Sequence, residues 1–286
     1  MKRLFTLFFL CVSITTFSQA NFQGKAVYQS KTTMDTDFGG RQLSEERKKQ
    51  ILERMKSMLE KTYILNFTRE ESVYKEEEKL EAPGTGRGFR YGGLVGGGTF
   101  YKNVKEGTIL EATEFFGKKF LITENIEKPK WELGNETKQI GNYTCFKATL
   151  VKQTNAFDWR NMRRRNRDDE EKKDTSKVKK VTEEIEVPKE IIVTAWYTPQ
   201  IPVSNGPGEY WGLPGLILEI NEGRTTILCS EITMNPSEKI EIKEPTKGKA
   251  VTREEYNKII KEKMKEMRER FRSRRGVNDR GGRDFH

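Results

Sequence analysis

The sequence predicts an α+β protein built on one mainly antiparallel, curved, half-barrel-like β-sheet, with one covering helix and an amphipathic C-terminal helix. Strand-like segments follow one another about every ten residues, with Gly, Asn and Pro between them, which is typical of an antiparallel meander. Strand and helix patterns do not alternate, as they would in a parallel α/β sheet. Two segments with helical periodicity complete the prediction.

The candidate strands are apolar or alternating segments bounded by turn residues. In the first half of the chain they cover residues 24–34, 63–67, 72–75, 99–104, 108–116, 118–123, 130–133 and 143–151. Later in the chain they cover residues 190–197, 215–221, 225–233 and 239–243. The pair Glu222-Gly223 favours a tight hairpin turn between two of them.

Two helices are predicted from capping residues and apolar stripes. Ser44 precedes Glu45 and Glu46, which suit a helix start near residue 44. The stripe that follows predicts a helix over about 44–60 that covers one face of the sheet: Ile51, Leu52, Met55, Met58 and Leu59. The second helix begins after Thr252, with a stripe of Tyr256, Ile259, Ile260, Met264, Met267 and Phe271.

The N-terminus has the pattern of a secretory signal peptide. Lys2 and Arg3 precede an apolar run over residues 4–17, and Ser18-Gln19-Ala20 offers small residues at the cleavage site. The run is shorter than the roughly 20 apolar residues of a membrane-spanning helix, and no later run approaches that length. We therefore expect residues 1–20 to be removed and the mature chain to be exported to the periplasm, the outer membrane or the extracellular medium.

Three segments do not belong to the predicted core. Residues 83–98 form a glycine-rich loop, residues 156–184 a charged insert predicted to be disordered, and residues 246–286 the C-terminal helix with a basic tail. The remainder of 21–245 is the β-rich domain. Segments 160–180 and 253–286 each carry a net charge of +5, so the excess of basic residues lies outside the β-rich part. Arg163, Arg164 and Arg165 are followed by acidic residues, which argues against nucleic-acid binding.

The sequence lacks the residues on which most catalytic and metal sites depend. The single histidine is His286, the last residue, and only Cys145 and Cys229 follow the signal. We therefore expect no metal site, no cofactor and no histidine-dependent catalytic residue. A carboxylate-dependent hydrolase stays open as an alternative, with Glu209 and Glu219 as its candidate residues.

The two cysteines admit two interpretations. Both fall on predicted strands of an exported chain, where an isolated pair tends to form a disulfide. The alternative is a pair of buried thiols that never meet. The prediction favours a Cys145–Cys229 disulfide.

A loop over residues 198–214, named the Pro/Gly loop below, contains Pro199, Pro202, Pro207 and Pro214 and several glycines. Prolines remove amide donors and exclude helix or central strand. Large aromatic residues lie at both ends of the loop: Trp196, Tyr197, Tyr210 and Trp211. Such a loop can seal the core as a plug, or form a binding lip for an apolar ligand or partner. The plug is favoured, and the four aromatics are the candidate binding residues.

The run Gly212-Leu213-Pro214-Gly215-Leu216-Ile217, preceded by the Ile-Pro and Gly-Pro pairs, resembles the GLPGLI family of secreted Bacteroidota proteins. A second block supports the resemblance, from Trp131 through the segment around Cys145. The resemblance implies a secreted envelope protein. The family has no established activity, so it implies no catalytic residues.

Together these observations predict a secreted envelope protein that is non-enzymatic, with a binding or structural role. Its candidate partners are an outer-membrane protein or an apolar ligand, reached through the curved sheet and the aromatic loop.

Export is directly testable. N-terminal sequencing of the protein from the cell envelope should find a start near Asn21, because residues 1–20 have the length and composition of a cleaved signal. An intact Met1 on the envelope product would contradict this prediction.

Overall fold

The computed structural model describes residues 22–33, 44–77, 98–125, 127–153, 163–164, 185–186 and 190–278. The predicted signal, nearly all of the glycine-rich loop and most of the charged insert lie outside these residues. The first half contains β1 (Gln23–Thr32), α1 (Glu45–Leu59), β2 (Glu60–Thr68), β3 (Glu71–Glu76), β4 (Thr99–Asn103), β5 (Thr108–Phe115) and β6 (Lys118–Asn125). The second contains β7 (Glu132–Ile140), β8 (Tyr143–Gln153), β9 (Arg163–Arg164), β10 (Ile185–Glu186), β11 (Glu190–Thr198), β12 (Leu216–Glu222), β13 (Thr225–Met234), β14 (Lys249–Val251) and α2 (Arg253–Asn278).

Within the described part of the chain, twelve of the strands form one sheet in the order β14-β6-β5-β4-β3-β2-β1-β13-β12-β11-β8-β7. All neighbours are antiparallel except β14 and β6, and the sheet stays open. The N-terminal strand β1 lies at its centre, between β2 and β13. The predicted fold class is therefore confirmed: a mainly antiparallel curved sheet with two helices.

One face of this sheet, named the inner face below, carries most of the core. It presents Tyr28, Leu65, Val193 and Ile220, all of which are buried. Their cluster extends across strands from β3 to β8, so it spans the centre of the sheet. The opposite, outer face is covered only in part. There Val73, Tyr101 and Leu110 pack with Ile242.

Both helices begin with the predicted caps. Ser44 accepts a hydrogen bond from the Arg47 amide at 3.4 Å, and α1 leads directly into β2 with Leu59 buried. At α2, the Thr252 hydroxyl accepts from the Glu255 amide while the Glu255 carboxylate accepts from the Thr252 amide. This reciprocal capping box fixes the start of the helix. Its first turns pack Tyr256 between Phe115 and Phe120 at the β6 end of the inner face.

The structure corrects two local predictions. Residues 239–243 are not a strand, because they have no partner in the sheet and instead lay Ile242 on the outer face. The turn between β12 and β13 consists of Gly223 and Arg224, one residue later than predicted, since Glu222 already pairs with Thr225.

The predicted disulfide is also not formed. Cys145 lies on β8 and Cys229 on β13, and both are buried free thiols. Because β11 and β12 lie between them, the two strands are about 14 Å apart along the sheet, at roughly 4.8 Å per strand. A disulfide requires Cα atoms within about 7 Å. The topology therefore explains why the thiols do not pair.

We expect thiol titration of the mature monomer to find two free thiols after unfolding and almost none in the native state at pH 8. Burial raises the pKa of Cys145 to about 11 and that of Cys229 to about 12, so neither forms the reactive thiolate at that pH. Absence of free thiols after unfolding without reductant would contradict the strand order.

Candidate functional site

The Pro/Gly loop connects β11 to β12 and lies on the inner face of the sheet. Its apolar and aromatic side chains are buried in the central cluster or beside it: Ile201, Val203, Tyr210, Trp211 and Leu213. The strand that follows is buried on both faces from Leu216 to Ile220. The loop is thus a continuous part of the core.

A positive φ and a close backbone approach explain two glycines of the Gly-Leu-Pro-Gly-Leu-Ile run. Gly212 has a φ of 95°, which side chains rarely allow. A Cβ on Gly215 would lie 2.2 Å from the Thr198 carbonyl oxygen, and this contact with backbone cannot relax easily. The loop then returns onto itself, because the Leu216 and Ile217 amides donate to the carbonyls of Ile201 and Asn205 at 3.0 Å each.

Side chains from distant strands hold the loop in place. Lys102 on β4 donates from Nζ to the carbonyl oxygens of Gly206 at 2.5 Å and Tyr210 at 2.9 Å. Ser72 on β3 donates to Asn205 Oδ1 at 2.8 Å. From the other side, Trp131 Nε1 donates to the Trp211 carbonyl at 2.8 Å. Four oxygen acceptors of the loop receive hydrogen bonds in this way, as polar groups in a buried loop require.

Lys102 is the most unusual of these groups because its side chain is almost fully buried, with 1% of the residue exposed. Burial lowers its pKa from 10.5 to about 7, and the negative charge of Glu209 raises it only in part. A buried lysine is tolerated where its N–H groups are hydrogen-bonded, as they are here. The anchoring of the loop therefore depends on the protonation state of a single side chain.

A second cationic group faces the other end of the loop. Lys152 on β8 contacts Glu209 Oε1 at 2.5 Å, Glu222 Oε1 at 2.7 Å and the Tyr210 hydroxyl at 3.4 Å. Burial lowers the pKa of Lys152, but the charges of Glu209, Tyr210 and Glu222 outweigh that effect and raise it well above 10.5. Lys152 is therefore a fixed positive charge between carboxylates.

A third group links the inner face to α2. The Arg253 guanidinium pairs with Glu111 at 2.6 Å and with Glu124. Burial raises the pKa of Glu111, while Arg253 opposes that shift. Lys152 and Arg253 on the inner face are thus held in ion pairs, whereas Lys102 donates to loop carbonyls.

The four aromatic residues predicted to bind do not form a common surface. Tyr197, Tyr210 and Trp211 are buried, whereas Trp196 is half-buried on the outer face with Lys138 Nζ 5.4 Å from its ring centre. The described structure therefore contains no exposed aromatic lip made of these four residues.

The two carboxylates suggested for a hydrolase are also apart. Glu209 pairs with Lys152 on the inner face, whereas Glu219 pairs with Lys138 at 2.5 Å and accepts from Asn221 at 2.8 Å. Sequence reasoning missed Lys102 and Lys152, since isolated lysines on strands look like solvent-facing residues. Only the sheet order shows that both point toward the loop.

Two further features bear on function. Among the described residues, no group of three or more His, Cys, Asp or Glu side chains could hold a metal ion. In the same part of the chain, no helix has the length and apolar character needed to cross a membrane.

Comparison with known proteins gives a family of unknown function. A family model described as "Protein of unknown function (Porph_ging)" matches residues 131–219, which include the Gly-Leu-Pro-Gly-Leu-Ile run. This domain is associated with Bacteroidota, which is consistent with the resemblance stated above. No curated protein matches the chain.

Among solved structures, the chain is similar to PNGF-II. Its structure in space group C2 gives a TM-score of 0.47 at 12% identity, and that in P21 gives 0.46 at 13% identity. Each match covers 84% of this chain but only 32% and 33% of the respective PNGF-II chain. The chain therefore spans about a third of the length of PNGF-II.

We expect Gly215→Ala to lower the free energy of unfolding by about 3 kcal/mol, the upper end of the overpacking range, because its Cβ would meet the Thr198 backbone. The matched control is Gly134→Ala on β7, whose Cβ would make ordinary contact at 3.4 Å. The control should stay within about 0.5 kcal/mol of wild type in chemical denaturation. Equal losses of unfolding free energy in the two variants would contradict the close contact between Gly215 and the Thr198 backbone.

Lys102 should make stability depend on pH. Because its pKa is about 7 when folded and about 10.4 in an unfolded chain, the unfolded state binds an extra proton between these values. The free energy of unfolding of wild type, minus that of Lys102→Met, should therefore rise as the pH increases from 7 to 10. Below pH 7 this difference should be constant. Denaturation series of both proteins measure this difference; a flat difference would mean that Lys102 stays charged in the fold.

Proposed function

We propose that this chain is an exported protein of the cell envelope with a non-enzymatic binding or structural role. One observation carries the proposal: the inner face is filled by the chain's own Pro/Gly loop. The aromatics Tyr210 and Trp211 are buried there. The two lysines at the loop have structural partners: Lys152 lies between Glu209 and Glu222, and Lys102 donates to loop carbonyls.

The filled inner face also limits what the protein can bind. An apolar ligand within the curved sheet would need the space that the loop occupies. The loop is held both by burial and by the two hydrogen bonds of Lys102, so its removal would expose core residues. We therefore propose a partner in the envelope that meets the outside of the molecule, with the loop acting to stiffen the sheet.

The export part of the proposal rests on the signal-like N-terminus and on the resemblance to a secreted family. The N-terminal sequencing experiment above tests it. A carboxylate-dependent hydrolase remains the second candidate, and the separate ion pairs of Glu209 and Glu219 weigh against it.

Incubation of the purified mature protein with an envelope fraction distinguishes the two candidates. A binding protein should retain envelope components on affinity beads without generating new products, as read by untargeted mass spectrometry over time. Glu209→Gln and Glu219→Gln variants serve as controls. Time-dependent products that vanish in either variant would overturn the non-enzymatic proposal.

A further inference from the structure

The turn between β5 and β6 carries an exposed phenylalanine. Phe116 and Gly117 form a two-residue turn with φ values of 50° and 73°. Positive φ at both positions is the type I′ pattern, where Asn-Gly is favoured and a bulky side chain is strained. Phe116 is nevertheless 48% exposed, and its ring makes a T-shaped contact with that of Phe115 at 4.7 Å between ring centres. Both backbone and solvent thus disfavour a phenylalanine here, and such an outlier points to function.

Cationic residues surround this turn. Lys118 and Lys119 follow Gly117 directly, and both are exposed. The start of α2 lies beside the turn, because the ring centre of Tyr256 is 6.4 Å from that of Phe115 and 5.3 Å from that of Phe120. The first turns of α2 and the hairpin turn therefore occupy the same end of the molecule.

The charge of α2 is concentrated in the part that follows its packed turns. Residues 253–260, which pack Tyr256 and its neighbours on β6, contain two basic and two acidic residues. Residues 261–278 contain eight basic and three acidic residues, a net charge of +5 over roughly 27 Å of helix. This half of the helix, together with Phe116, Lys118 and Lys119, is named the basic tip.

The distribution of charges along this half is also ordered. At 3.6 residues per turn, Glu262, Glu266 and Glu269 fall on one side of the helix. Lys261, Lys263, Lys265 and Arg270 fall on its two flanks, next to the stripe of Met264 and Met267. Met264 and Met267 continue the face that packs Tyr256 on the sheet and are half-buried, so the exposed cations beside that face are the groups that can meet an anionic surface.

We propose that the basic tip docks on an anionic lipid bilayer, with Phe116 entering the headgroup region and the lysines and arginines contacting lipid phosphates. The inference deepens the proposed function, because it rests on export to an envelope that contains membranes. Positive charge complements an anionic leaflet, and an exposed aromatic side chain among lysines suits the interface between headgroups and acyl chains. A nucleic acid would instead favour several aromatics interleaved on a basic face.

Co-sedimentation of the full mature protein with vesicles tests this inference. The protein should bind vesicles that contain phosphatidylglycerol, bind vesicles of phosphatidylcholine alone much more weakly, and be released by added salt. Equal binding to both vesicle types, or none to either, would overturn it. The same holds if an oligonucleotide or polyglutamate binds more tightly than the anionic vesicles.

Two pairs of variants separate docking from folding. Phe116→Asn should keep or raise the melting temperature, because Asn suits the turn, yet reduce vesicle affinity about tenfold. The control Ile192→Asn removes a residue that is 67% exposed on the outer face, and it should leave affinity unchanged. Unchanged binding by Phe116→Asn would contradict the insertion.

The second pair of variants removes one lysine from each end of the β5 hairpins. Lys119→Gln should weaken vesicle binding about fivefold, as expected for one cation near an anionic surface. Lys105→Gln makes the same change in the β4–β5 turn at the opposite end of the strand, and it should have no effect. Equal losses would show that net charge alone, without a docking surface, explains binding. N-terminal sequencing and product formation involve no vesicles, so failure here is distinct from failure of the proposed function.

Discussion

The contact of the Pro/Gly loop with the inner face is the interaction on which the rest of the fold depends. An open sheet of twelve strands exposes one apolar face unless something covers it. Here the cover comes from the connection between β11 and β12, which buries residues such as Val203 and Leu213. Because the loop is anchored to β3 and β4 as well, it links strands that are far apart in the sheet order.

This arrangement explains why the inner face combines apolar packing with buried charge. A loop without regular structure has carbonyl groups that need donors once they are buried. Lys102 supplies two of those donors, and Glu209 supplies a nearby negative charge. Lys152 and Arg253 form ion pairs with the carboxylates of the inner face. These charges accompany the covering of a sheet by a loop that has no regular structure.

The surface of the molecule has its own asymmetry. The two ends of the molecule differ in character: β7 is an exposed edge strand at one end of the sheet, and β6 with α2 forms a basic end at the other. Phe116 is the residue that core packing explains least, since both its backbone and its exposure are unfavourable. The proposed membrane-binding surface accounts for both the strained backbone and the solvent exposure of Phe116.

The sequence by itself determined the fold class, most strands, the two helix caps and the special backbone of the Pro/Gly loop. These depend on local properties: alternation, capping side chains, and prolines or glycines that restrict or extend backbone freedom. Tertiary structure decided what depends on strand order. Lys102 and Lys152 meet the loop, Cys145 and Cys229 stay apart, and Glu209 and Glu219 enter separate ion pairs. Residues far apart in sequence become neighbours only when the strands are ordered, and local sequence patterns do not encode that order.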